Sequence, residues 1–203
     1  ERADTMAGLV GTPAQQRITR DAFGNLQRVR LEFINASSVK TEGIDVSARY
    51  QFSTGFGDFD ATAAWTHLRN YRIRVTPGAP AIDGVGSVNF NNLGRSLPRD
   101  RLEFGLGWTL DKHRLQLQGH YVSGYKNDRN AITDRSINAW TTFDLQYALT
   151  LDTLAGLGGT TLSIGAINIF DRDPPVAQLN LGFDPIVHDP RGRVVYIGIN
   201  QSF

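Results

Sequence analysis

The sequence predicts an all-β chain made of antiparallel transmembrane β-barrel strands, about seven in number. Apolar residues recur at every second position in these segments, as in strands with one apolar and one polar face. Short and long connections alternate between the segments, which is typical of outer-membrane barrels. The last segment is about ten residues long, enough for a tilted strand to cross a bilayer.

The expected elements follow the chain in a simple order. Residues 1–27 carry scattered glycines, a proline and charges without a sustained period, so we expect an extracellular loop remnant there. Residues 28–52 are interpreted as one strand with an irregularity near residues 37–41, and two strands around a tight turn are the open alternative. The alternation predicts the C-terminal strands of a barrel at residues 28–52, 58–68, 100–110, 114–124, 140–150, 160–169 and 193–203.

The two faces of these strands differ in chemistry. In residues 100–110, Leu102, Phe104 and Leu106 alternate with Glu103 and Gly105. A soluble antiparallel sandwich also alternates, but its exposed face is normally rich in Lys and Glu. Here the polar face is small and uncharged at many positions: Ser47, Thr62, Thr66, Gly105, Gly107, Thr142, Ser163 and Gly165. We therefore expect the apolar face to meet lipid and the polar face to line a lumen.

The connections also orient the strands. Short turns are expected in the periplasm and long loops outside the cell. Because the last strand must end on the short-turn side, the C-terminus is expected in the periplasm. Aromatic residues favour this orientation, since they group near both ends of the strands as interfacial belts do. Those near short turns are Phe52, Trp108, Tyr147 and Phe203, and those near long loops are Trp65, Tyr121, Tyr125 and Trp140.

Composition excludes several classes of protein. The 21 basic and 20 acidic residues are interspersed and give a net charge of +1, so no basic stripe indicates a nucleic-acid partner. The chain has no cysteine, which excludes thiolate metal sites and disulfide scaffolds. Its start carries neither a signal peptide nor an initiator Met. Because a barrel must be exported, we interpret the chain as a C-terminal fragment of a longer protein.

Three stretches carry a family resemblance. Residues 41–45, preceded by Asn35, resemble the x-G-[VI]-[DE] stretch of TonB-dependent outer-membrane receptors, and residues 165–175 resemble that family's G-V-x-N-L-F-D-x-x-P-P. Residues 189–203 resemble its last strand, D…G-R-x-[VY]-[YF]. The matching residues, to which we assign structural roles, are Gly43, Asp45, Asn168, Phe170, Asp171, Pro174, Pro175, Gly192, Arg193 and Phe203.

The resemblance implies a Gram-negative outer-membrane receptor with a plugged barrel, a class that has about 22 strands. It implies three kinds of partner for the full-length receptor: outer-membrane lipid, a plug domain with the TonB complex, and a small-molecule or oligosaccharide cargo. Siderophore-bound iron, cobalamin and oligosaccharides are all cargoes of this architecture. The plug and the TonB-contacting segment are not in this chain, and no cofactor is implied.

Candidate ligand-binding residues fall into two groups. Arg49, His120, Asp144 and Gln146 are expected to point into the lumen, where cargo would pass. Asp184, His188 and Asp189 form an acidic and imidazole cluster in the last loop. The spacing of Asp184 and His188 would suit a metal on a helix, but Pro185 and Pro190 argue against a helix. No metal site is therefore expected.

The expected function is uptake of a ligand by such a receptor, and two other functions are alternatives to it. A complete small barrel could act as a structural anchor or passive pore, but small barrels fill their interior with side chains. The inward Gly, Ser and Thr residues here would leave voids. An outer-membrane hydrolase would need an inward nucleophile, base and orienting group at one rim, and the sequence offers no such set. We therefore expect no enzyme.

Overall fold

The computed structural model describes residues 18–30, 38–74, 80–90, 94–129, 134–151 and 159–201. Within these ranges the chain forms twelve β-strands, and no helix is long and apolar enough to cross a membrane. The strands are β1 (Ile18–Arg20), β2 (Leu26–Val29), β3 (Ser38–Thr54), β4 (Gly57–Arg74), β5 (Ile82–Asp83), β6 (Asp100–Leu110), β7 (His113–Val122), β8 (Tyr125–Lys126), β9 (Ser136–Ile137), β10 (Trp140–Leu151), β11 (Thr160–Ile167) and β12 (Val194–Gln201).

Seven long strands form one antiparallel sheet, which we call the wall. Their order is β12-β11-β10-β7-β6-β4-β3, with the short β5 beside β4. The prediction of an all-β, antiparallel fold is confirmed. In the described part of the chain no backbone pairing joins β3 to β12, so the wall is an open sheet there.

The register of the wall aligns apolar residues across every strand. One such row is Tyr50, Ala61, Leu106, Leu117, Leu145, Ala166 and Val195. This face is uncovered, because Leu106 is 45% exposed, Leu145 37% and Ile197 79%. A large apolar surface left open by the chain itself is suited to lipid or to another protein.

Polar residues align on the opposite face in the same way. The neighbouring row is Gln51, Asp60, Gly107, Gln116, Gln146, Gly165 and Tyr196. Side chains of successive residues point to opposite faces of a strand, so each apolar row is followed by a polar one. The wall is therefore a two-faced sheet over its whole width.

The segment expected as one strand, residues 28–52, differs in the structure. Val29 ends β2, which pairs only with β1 in a separate two-stranded sheet, while β3 begins at Ser38. The irregularity lies between Glu42 and Gly43 rather than at residues 37–41. A Cβ at Gly43 would lie 2.9 Å from the carbonyl oxygen of His67, so a glycine permits this close approach of two backbones.

Several other expected elements begin or end at different residues in the structure. Part of the expected loop 1–27 forms the hairpin of β1 and β2, and residues 1–17 lie outside the described ranges. β4 continues to Arg74, beyond the expected end at residue 68, because it pairs with β3 along its length and with β5. The expected turn 152–159 lies almost entirely outside the described residues, as does Phe203.

The long connections pack together at one end of the wall, and we call them the loop unit (residues 80–90, 94–99, 123–129, 134–139 and 168–193). Its centre is a buried apolar cluster of Tyr125, Ile137 and Ala177. Val88, Leu179 and Val187 pack against that cluster. Backbone hydrogen bonds join the segments, as from Val88 N–H to the carbonyl of Lys126 at 2.9 Å. The loops are thus ordered by a core of their own.

Candidate ligand-binding surfaces

His120 and Asp144 meet on the polar face of the wall. His120 lies on β7 and Asp144 on the neighbouring β10, and His120 Nε2 is 3.2 Å from Asp144 Oδ2. The other oxygen of Asp144 accepts a hydrogen bond of 2.8 Å from the backbone N–H of Asn168, where β11 has ended. Asp144 therefore connects the polar face to the start of the last loop.

Arg49 lies in the same polar band, four strands from Asp144 along the sheet. Arg49 and His120 both line a cavity of about 340 Å³, and Thr62, Glu103 and Gln118 line it between them. This lining offers a guanidinium, a carboxylate, an imidazole and neutral polar groups. Such a set can hold a polar ligand by hydrogen bonds and charge.

A second cavity, of about 320 Å³, continues from His120 toward the last loop. Asp144, Trp140 and the loop residues Asp189 and Arg191 line it. Arg191 donates to Asp189 through one edge of its guanidinium, with Nη2 2.6 Å from Oδ2 and Nε 2.9 Å from the same oxygen. This bond lowers the pKa of Asp189 and raises that of Arg191. Gln146 lines neither cavity and lies one row nearer the short-turn end.

Asp184 and His188, expected as ligand candidates in the last loop, are buried in the loop unit, at 1% and 3% exposure. Asp184 Oδ2 accepts a 2.8 Å hydrogen bond from the hydroxyl of Tyr125, and Oδ1 accepts one of 3.0 Å from the backbone N–H of Ile186. The ring of His188 packs edge-on against Trp140 at 5.3 Å and parallel to Tyr125 at 6.0 Å. Asp189 alone of the three is exposed.

Burial shifts the titration of this cluster. It lowers the pKa of His188, an effect that the nearby Asp184 carboxylate partly opposes. It raises the pKa of the Tyr125 hydroxyl, and the hydrogen bond to Asp184 adds to that rise. At neutral pH the imidazole is therefore uncharged and the phenol keeps its proton.

No protein-family model and no curated protein matches the chain. A solved structure with a similar fold is a variant of the ferric enterobactin receptor of Pseudomonas aeruginosa, at a TM-score of 0.54 and 16% identity. The similarity covers 89% of this chain and 24% of that receptor. At this identity the likeness shows the fold alone, that of part of a β-barrel receptor.

Three of the residues that resemble receptor motifs, Asn168, Asp171 and Arg193, lie at the two ends of the last loop. Asn168 Oδ1 accepts a 3.0 Å hydrogen bond from the backbone N–H of Arg172, and Asn168 Nδ2 donates one of 3.1 Å to the carbonyl of Arg172. Asp171 Oδ1 accepts a 2.7 Å hydrogen bond from the backbone N–H of Arg193, whose guanidinium reaches the carbonyl of Ile169 at 3.2 Å. These bonds fasten the loop's exit from β11 to its return into β12. They are contacts within the fold.

The other motif residues also contact the protein itself. Asp45 accepts a 2.7 Å hydrogen bond from the Thr66 hydroxyl on the neighbouring strand. The ring of Phe170 packs edge-on against Phe143 at 5.7 Å. Gly192 has a φ of 65°, a conformation that glycine adopts without strain. Pro174 and Pro175 follow in the loop, where no strand pairing needs their missing N–H groups.

Sequence reasoning did not propose as ligand-binding candidates three residues that line these cavities: Glu103, Trp140 and Arg191. Parity alone places Glu103 beside His120, because the two face each other across β6 and β7. No sequence pattern places Arg191 beside the second cavity, since Arg191 lies in an irregular loop. Among the described residues no group of three or more His, Asp or Glu side chains could hold a metal ion.

Proposed function

We propose that this chain forms part of the wall and the extracellular loops of an outer-membrane receptor that takes up a scarce ligand with energy from a TonB complex. The observation that carries the proposal is the register of the wall, which places the apolar residues of seven strands on one uncovered face. Lipid is the partner that suits such a face. The resemblance of the three motifs to TonB-dependent receptors supports the same function.

The fold likeness to a ferric enterobactin receptor supports this reading at the level of architecture. We propose that the full-length barrel has about 22 strands, as plugged outer-membrane transporters do, and encloses a plug domain. The C-terminus then lies in the periplasm and the loop unit outside the cell. The open edges of β3 and β12 fit strands of a larger barrel better than a complete small barrel or a passive pore.

Within this receptor the polar face would guide cargo inward. Arg49, His120 and Asp144 offer charge and hydrogen bonds along one band, and Gln146 extends it toward the periplasm. Cargo is a small molecule or an oligosaccharide that passes this band when the plug moves. The carboxylate and imidazole here serve binding, so we propose a transporter and no enzymatic step.

Uptake by cells tests the proposal. Cells with and without the full-length protein are given three labelled solutes, a ferric chelate, cobalamin and a maltodextrin, in strains with and without TonB. We expect one cargo class to accumulate only when both proteins are present. Entry of all three without TonB would instead show a passive pore, and no difference between cells would contradict uptake.

Variants then connect the transport to the polar face. Arg49→Gln and His120→Phe should raise the cargo concentration for half-maximal uptake several-fold, by about 1 kcal/mol of lost charge-assisted bonding each. Arg28→Gln is the matched control, because Arg28 is exposed on β2, away from the wall. Equal uptake in all three variants would remove the polar face from the mechanism.

A further inference from the structure

A third cavity lies wholly within the loop unit and has a volume of about 540 Å³. It is bounded by residues 88–90, 94–96, 179–181 and 183–186 and by Arg129, and it shares no residue with the two cavities along the polar face. Its volume is within the range of about 300–1,000 Å³ that small-molecule sites occupy. Its position and its lining are therefore those of a separate site.

The walls of this cavity are largely apolar. Val88, Phe90, Leu179 and Phe183 line it; all four are partly buried, and Val88 and Leu179 pack against the core of the loop unit. Aromatic and aliphatic walls favour a ligand part that is flat and poorly hydrated.

Positive charge accompanies these apolar walls. Arg95 and Arg129 both line the cavity, and the guanidinium carbon of Arg129 lies 4.6 Å from the centre of the Phe90 ring. This stacking holds the guanidinium in place and leaves its edges for an acceptor. The acidic lining residue Asp184 already accepts hydrogen bonds at both oxygens, from Tyr125 and Ile186. With two arginines and one carboxylate in the lining, its net charge is positive, and the Asp184 oxygens are already engaged within the fold.

Ser96 gives an independent indication of a ligand. Its side chain is only 3% exposed and lines the cavity, and its hydroxyl has no hydrogen-bond partner among the described residues. Buried hydroxyls nearly always have a partner, because leaving one unpaired is unfavourable. A ligand oxygen in the cavity would supply that partner beside Arg95.

We propose that this cavity binds an organic anion whose charged group is attached to a flat apolar part. The anionic oxygens would meet Arg95, Arg129 and the Ser96 hydroxyl, and the flat part would lie against Phe90 and Phe183. The proposal concerns binding to the loops alone. It goes beyond the proposed uptake function and does not need TonB or transport.

Calorimetric titration of the purified full-length protein in detergent tests this site, with naphthalenesulfonate as the probe. The neutral naphthalenesulfonamide tests the need for charge, and inorganic sulfate tests the need for the flat part. We expect saturable binding of naphthalenesulfonate at one site. The sulfonamide should bind at least about tenfold more weakly because it lacks the charge-assisted bond, and sulfate should bind at least about tenfold more weakly because it lacks the buried apolar part. Equal binding of sulfate or of the sulfonamide would overturn the proposal.

Variants assign the binding to this cavity. Arg129→Gln and Arg95→Gln should each weaken naphthalenesulfonate binding about tenfold, because each removes a charged donor. Arg135→Gln is the matched control, since Arg135 is an exposed arginine of the same loop outside the cavity. Ser96→Ala keeps the fold, because it removes a hydroxyl without a partner, and should weaken binding several-fold. If all four variants bind equally, the probe occupies another place and the site does not exist. Uptake of cargo in cells is read separately, so either proposal can fail alone.

Discussion

The side chains of the wall are largely exposed, whereas those at the centre of the loop unit are buried. Nearly every residue of β3 is exposed, and Ile197 and Ile199 on β12 are 79% and 73% exposed. In the loop unit Tyr125 and Ile137 are buried together with polar Asp184 and His188. The wall therefore depends on surroundings that the chain does not supply, whereas the loop unit holds a core of its own.

This contrast explains how one chain can serve two environments. Strands of the wall satisfy their backbone groups by pairing, as strands in lipid must, and in the proposed receptor their apolar side chains would meet the membrane. The loop unit instead satisfies buried polar groups by specific contacts, such as Asn89 Nδ2 to the carbonyls of Gly84 and Arg95 at 3.0 and 2.6 Å. Loops ordered in this way can present a shaped surface to a ligand.

The largest expected effect comes from placing a charge on the apolar face of the wall. Leu145→Arg should lower the free energy of unfolding in phospholipid vesicles by about 2–4 kcal/mol, because a lipid-facing arginine must leave water. Leu145 lies in register with Leu117 and Ala166, near the middle of its strand. Urea titration with tryptophan fluorescence gives the measurement.

The adjacent residue of the same strand provides the control. Gln146→Arg places the same charge on the polar face, opposite Gln116 and Gly165. Its expected cost is below about 1 kcal/mol, since lumen-facing substitutions mainly alter selectivity. If both variants lose equal stability, the two faces do not meet different media and the membrane assignment fails.

The wall could be predicted from the sequence because its environment imposes a period of two. The apolar row through Leu106, Leu117 and Leu145 follows from alternation and from the tight turn between β6 and β7. The same parity places Arg49, His120 and Asp144 on the polar face. The irregularity expected near residues 37–41 lies just beyond them, between Glu42 and Gly43, since one inserted residue changes the phase without a compositional signal beyond a glycine.

The loop unit could not be predicted because its contacts join distant residues. Tyr125 and Asp184 are 59 positions apart and belong to irregular segments. Strands β8 and β9 have two residues each, too short to show any period. The sequence therefore places Asp184 and His188 together in a loop but gives no sign that both are buried.

A smaller effect is expected from the buried contact between Tyr125 and Asp184. Tyr125→Phe removes the donor to Asp184 Oδ2 and leaves a buried oxygen unpaired, which should cost about 1–3 kcal/mol. Hydrogen exchange should rise at the N–H groups of Val187 and His188, which bind the carbonyl of Asp184. Exchange within β3 should not change, because β3 lies at the far edge of the wall and, among the described residues, pairs only with β4.

Tyr147→Phe is the matched control for that substitution. The Tyr147 hydroxyl also has a hydrogen-bond partner, His113 Nδ1 at 2.6 Å, but the contact is exposed. Water can replace it, so the variant should leave exchange in both regions close to that of the parent protein. Faster exchange throughout the wall in Tyr125→Phe would show that the two regions are one cooperative unit.

The smallest effect is a pH dependence confined to the loop unit. Burial lowers the pKa of His188, with Asp184 opposing and Arg101 adding to the shift. His188 therefore binds a proton more readily in the unfolded loop than in the folded one. The free energy of unfolding of the loop unit is highest above about pH 6.5 and declines as the pH falls below that value. Hydrogen exchange of the Val187 N–H should accelerate between about pH 7.5 and pH 5.5, after correction for intrinsic rates.

His188→Phe isolates this titration from other groups. The substitution keeps a ring against Trp140 and Tyr125, and neither nitrogen of His188 has a hydrogen-bond partner among the described residues. The variant should therefore match the parent protein at pH 7.5 and lose the acceleration at lower pH. Asp189 titrates far below this window, because Arg191 lowers the pKa of its carboxyl. An unchanged acid response in His188→Phe would assign it to another group and leave the loop core without a titrating residue in this range.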